Sequence, residues 1–148
     1  MSRAAHEAAR SLTYAIMLDA LEHHARHAAS GLPASTRHWA VRGVREFSEE
    51  LSVRQDLTEA PRRSQDDGAM VTVVDGGLGY AATSDLSQAG LRAAFERAHR
   101  LARASAGRAV FDYQGFERAA ASGYYASRVD RPAASATLPE KLGWLQEV

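Results

Sequence analysis

Apolar and polar positions change their period several times along this chain, and each change marks an element. From residue 4 to 29 the period is helical. Leu12, Ile16 and Ala20 fall four apart, with Tyr14, Met17, Leu21, Ala25 and Ala28 in the neighbouring row. Arg10, Asp19, Glu22 and Arg26 take the opposite face, and Gly31 followed by Pro33 stops the helix. From Trp39 onward β-formers appear (Val41, Val44, Phe47), and then Leu51, Val53 and Leu57 alternate with Ser52, Arg54 and Asp56. Period two with one apolar face predicts half-buried strands, about 38–46 and 49–57, with a turn or bulge near Ser48.

Residues 58–68, TEAPRRSQDDG, are polar and contain Pro61. They predict a surface loop or a weak edge, with Arg62 and Arg63 set against Asp66 and Asp67 in a local ion-pair cluster of small energetic weight. Met70–Val74 is a short apolar run. Asp75-Gly76-Gly77 is the strongest turn signal in the chain, because a tight hairpin needs the positive φ that Gly adopts without steric cost. Leu78–Thr83 is the return strand, and Gly79 inside it signals a bulge or a close backbone approach.

Ser84 or Ser87 then caps a helix over 87–106. Leu91, Ala94, Phe95, Ala98, Leu101 and Ala102 form its apolar stripe, and Arg92, Glu96, Arg97, Arg100 and Arg103 point outward, with Gly107 as the stop. Residues 108–136 are irregular, with aromatics among Gly, Ala and Ser. Thr137-Leu138-Pro139-Glu140 is a capping box that opens a last helix with Leu138, Leu142, Leu145 and Val148 on one side. The pattern as a whole predicts an α+β fold. A mainly antiparallel sheet carries a β-hairpin at about 70–83, packed by helices at about 4–29 and 87–106, with the start of a further helix at 138–148.

Composition narrows the class. The chain has 148 residues, 45% hydrophobic and 24% charged, with 18 basic against 18 acidic side chains. That suits a single globular domain and gives no broad attraction to nucleic acid or to an anionic membrane. Cysteine is absent, which excludes disulfides and thiolate metal sites and agrees with a reducing compartment. No apolar run approaches the roughly 20 residues of a membrane span, and the N-terminal stretch is interrupted by His6, Glu7, Arg10 and Asp19, so it lacks a signal-peptide core. The expected location is the cytoplasm.

Candidate chemistry is thin. His6-Glu7 opens like a helical zinc motif, but Arg10 stands where the second imidazole belongs. His23 and His27 lie four apart near His24, with Glu22 and His38 as possible further ligands. Polar side chains at a helix C-terminus equally complement its dipole. Gly76-Gly77-Leu78-Gly79 is rich enough in glycine to cradle phosphate, yet a strand follows it rather than a helix, and Lys141 is the only lysine. Ser84, Ser87 and His99 make no nucleophile pattern, and Tyr124 and Tyr125 read as packing or contact residues. No catalytic, cofactor-binding or metal residue is assigned.

One resemblance stands out. SEELSVRQDL, a charged loop ending in Gly68, then VTVVDGGLGYAATSDLS and an Ala- and Arg-rich helix resemble the N-terminal domain of the TldD/PmbA family of zinc metallopeptidases. The best-matching run is Asp75–Ser87. It departs from the family pattern at Leu78, where an aromatic is common, and at Ala82-Thr83, where Ser-Thr is common.

The resemblance implies an α+β domain that walls a channel for unfolded peptides in a homodimer or heterodimer. It also implies zinc ligands in a His-Glu-x-x-x-His pattern later in a longer chain, and none of those ligands is present here. Residues 1–136 are accordingly expected to form the N-terminal domain, and 137–148 to begin a helix leading to a missing domain. The expected role is to shape the peptide channel and the dimer, with an extended substrate adding to a strand edge at 49–57 or 78–83. The alternative is a stand-alone, non-catalytic adaptor or structural partner of a full-length subunit.

Overall fold

The computed structural model describes residues 18–147 apart from 56, 114, 116–122, 124 and 126. The expected helix over 4–29 falls partly outside them. Its described part, α1, spans 18–29 and buries Leu21, Ala25 and Ala28, one side of the helical period.

Next comes β1 (His38–Glu50), one continuous strand where two were expected. The chain reverses beyond it through a small hairpin, β2 (Val53–Arg54) and β3 (Leu57–Thr58), with Gln55 at φ 50 in the left-handed region. β4 (Arg62–Val74) then returns along the whole of β1, from Glu50↔Arg62 to His38↔Val74. β5 (Leu78–Thr83) pairs with the second half of β4, giving a three-stranded antiparallel sheet in the order β1-β4-β5.

Two expectations are corrected by this register. Residues 49–57 are not a strand but the end of β1 and the start of the small hairpin. Residues 62–68, expected as a surface loop or a weak edge, are strand paired on one side only, so the edge reading holds and the loop does not. The physical reason is that β4 outruns β5. Where β5 ends, β1 and β4 continue as a two-stranded ribbon with no core beneath it, so its β4 residues are polar and carry no apolar alternation, and Phe47 of β1 is left exposed. Cross-strand pairs hold it instead. Arg45 reaches Asp67 directly opposite with two hydrogen bonds of 2.6 and 2.7 Å, and Arg63 pairs with Glu49, also opposite, at 2.7 Å. The acid and base partners thus come from two strands, not from one loop. Both carboxylates are held below their ordinary values, Glu49 first by its hydrogen bond from Lys141 and Asp67 by that from Arg45.

Both helices cover the same face of the sheet. Trp39 and Val41 of β1, Ala69, Val71 and Val73 of β4 and Ala81 of β5 share that face by register. α2 (Gln88–Ser105) lays Leu91, Ala94, Phe95, Ala98 and Ala102 upon it. Phe95 sits at the centre, 1% exposed, its ring edge-on to Trp39 at 5.6 Å. Leu101, expected in the stripe, lies at its margin and is half exposed.

Ser87 caps α2 by accepting from the Gly90 amide at 3.2 Å. The last helix, α3 (Leu138–Gln146), has the expected capping box between Thr137 and Glu140, but its stripe buries nothing fully, and Trp144 and Leu145 remain exposed. It meets the ribbon through Lys141, which pairs with Glu49. Among the described residues no helix is long and apolar enough to cross a membrane.

Candidate functional site

The turn between β4 and β5 is where sequence and structure concentrate their constraints. Val74 faces Leu78 across three residues, Asp75, Gly76 and Gly77. Gly76 takes φ 75, and the Asp75 amide donates to the Gly77 carbonyl at 3.0 Å. The hairpin reading of this glycine run holds. Gly79 follows because α2 lies directly on β5: a Cβ at Gly79 would collide with the Ala98 carbonyl and crowd the Ala102 amide. Small residues on both sides (Gly79, Ala81, Ala98, Ala102) let strand and helix approach this closely.

Asp75 is more than a turn residue. Its side chain is 3% exposed, and it ties three segments together. Ser35, from the loop before β1, donates to Oδ2 at 3.0 Å. His99 of α2 lies with Nε2 2.7 Å from the same oxygen, and Arg103 reaches Oδ1 at 3.4 Å. An ionised carboxylate can only accept, so His99 carries its proton on Nε2. Burial alone would push the Asp75 carboxyl up. The hydrogen bonds from His99 and Ser35 and the charge of Arg103 outweigh it, and the group rests below the ordinary carboxylate value.

β5 is an edge strand, and α2 reaches over that edge. Carbonyl direction alternates along a strand. The Gly77 carbonyl turns toward Asp75 at the β4 side, so those of Leu78, Tyr80 and Ala82 face away from β4. Ser105 Oγ donates to the Leu78 carbonyl at 2.9 Å, and Arg97 Nη2 donates to the Ala82 carbonyl at 3.1 Å. The Tyr80 side chain, on the sheet face away from the helices, is half exposed.

The other candidates separate. His6 and Glu7 lie outside the described residues, as does Tyr124. His23 and His27 are exposed, while His24 donates from Nδ1 to the Leu86 carbonyl at 3.1 Å, which pins α1 to the entry of α2. Ser84 makes no cap; Ser87 does. Ser84, Ser87 and His99 are not brought together, since His99 turns to Asp75. Tyr125 is exposed. Among the described residues no three His, Asp or Glu side chains gather as metal ligands.

Residues 39–102, from the start of β1 through the buried stripe of α2, match the family model described as PmbA/TldA metallopeptidase domain 1. This segment is similar to the first domain of the PmbA/TldD metallopeptidase family. No curated protein and no solved structure matches the chain. The matched segment contains Asp75, Gly79, Arg97 and His99 but not Ser35, Arg103 or Ser105. Sequence reasoning missed the Asp75 network because its members lie 24 and 40 residues apart. The one local signal was His99 and Arg103 at i,i+4 spacing, on a face bordering the buried stripe.

Proposed function

We propose that this domain belongs to a PmbA/TldD-type metallopeptidase acting on unfolded polypeptide, and that its own residues shape the peptide path and a dimer contact rather than carry the chemistry. The family match over 39–102 is the observation that carries this reading. The sheet supports it. β5 is a continuous edge of six residues, and pairing with an edge recognises main chain whatever the sequence. Of the two expected edges only 78–83 is a strand of that length, since 49–57 is broken by the small hairpin.

Zinc, as Lewis acid and activator of water, would supply the bond cleavage in such an enzyme. The described residues offer it no set of ligands. A reducing compartment such as the cytoplasm suits a cysteine-free chain.

The test is to add a labelled unfolded polypeptide to the full 148-residue chain and follow binding by fluorescence anisotropy and self-association by sedimentation. Binding and a dimer are expected. A monomer indifferent to unfolded polypeptide would refute the reading.

A further inference from the structure

An exposed sheet edge is normally blunted by charge, by a bulge or by a covering element. Here the covering is made by two side chains of one helix. Among the described residues, Ser105 and Arg97 take the first and third of the three outward carbonyls of β5, those of Leu78 and Ala82, and leave the Tyr80 peptide group between them. Both contacts are built to be given up. The single Ser105 hydroxyl proton is shared between the Leu78 carbonyl and the Ala102 carbonyl of its own helix at 3.1 Å, so releasing Leu78 leaves the hydroxyl satisfied. Arg97 is exposed, and water can replace its carbonyl partner. In each case the donor that the carbonyl loses is the kind of donor that a backbone N–H of an incoming strand supplies.

We propose that Arg97 and Ser105 are a two-point latch on the β5 edge, and that an extended polypeptide pairs with Leu78, Tyr80 and Ala82 when these side chains let go. The latch rests on the peptide-binding reading above. It adds where the peptide lies and what competes with it. The partner is recognised through its main chain, so the latch sets affinity without selecting sequence. Arg97, once released, presents a guanidinium beside the new strand.

The experiment uses the isotope-labelled full chain as wild type, Arg97→Ala, Ser105→Ala and the double variant, titrated with an unstructured Thr- and Val-rich peptide and with its N-methylated analogue. The double variant is expected to bind about three- to tenfold more tightly than wild type, the range set by one or two modest hydrogen bonds no longer competing. The largest amide shifts are expected at Tyr80 and Ala82, and the N-methylated peptide should not bind. Arg97→Lys, which keeps a cationic donor, should stay near wild type. Equal affinity of wild type and double variant, or shifts confined to β1, would overturn the latch. If wild type binds the peptide at another surface and the variants change nothing, the latch falls and the peptide-binding reading stands. If no protein in the series binds it, both fall.

Discussion

His99 Nε2 lies 2.7 Å from Oδ2 of Asp75, across the interface between α2 and the β4–β5 turn. The same oxygen accepts from Ser35, so one buried carboxylate fastens the turn to the helix above it and to the loop that leads into β1. Removing it leaves three donors, those of Ser35, His99 and Arg103, without their partner. Asp75→Ala is expected to lower stability by about 1–3 kcal/mol, the range for an abandoned buried hydrogen-bonding group. His99→Ala should cost less, because Ser35 still holds Oδ2 and His99 is partly exposed. Chemical denaturation of the two variants beside wild type measures both.

Acid should act on the same group. The Asp75 carboxyl sits below its ordinary value of 3.8, so folding favours its charged form. Its contribution is complete above that value and is lost as pH falls through the lower folded value. Glu49, Asp67, Asp85 and Glu140 are displaced the same way and share the acid limb. Asp75→Asn should therefore flatten the fall in stability below about pH 4 without abolishing it. Thermal melts at stepped pH, compared with wild type, read this directly.

Gly79→Ala should be the most damaging small change on the sheet. The added methyl meets the Ala98 carbonyl, and backbone cannot step aside as a side chain can. A loss of about 3 kcal/mol is expected, with β5 and α2 forced apart. Weakened protection of β5 amides in hydrogen exchange would report that separation. An unchanged melting temperature would contradict the packing described.

Phe95 carries the core and meets Trp39 edge-on. Phe95→Ala should cost about 3–5 kcal/mol, as large aromatic truncations in closed cores do. Tryptophan fluorescence should shift as Trp39 gains water.

Most elements were legible because their signals are local. The Asp75-Gly76-Gly77 turn, the Ser87 cap, the Thr137–Glu140 capping box and the stripe of α2 each depend on residues within a few positions of one another. Gly79 signals a bulge or a close backbone approach, and α2 makes it the close approach. The first half of β4 was not legible. Arg62–Gly68 has no apolar face, and its strand form follows from pairing with partners on β1, from Glu50 opposite Arg62 to Val44 opposite Gly68. Asp75 was hidden for the same reason: its partners come from the loop before β1 and from α2. Leu101 fitted the helical period but lies at the margin of the stripe that faces the sheet, at 52% exposure. Sequence patterns report what a residue can do locally, and distant pairing decides the rest.

On the function proposed above, this chain receives unfolded polypeptide without cleaving it. The most direct measurement incubates the full 148-residue chain, with zinc added, against a labelled unfolded polypeptide, recording anisotropy and cleavage products together. Binding with the polypeptide intact is the predicted result. Zinc-dependent cleavage by this chain, or no binding at any concentration at which the chain stays folded, would contradict it.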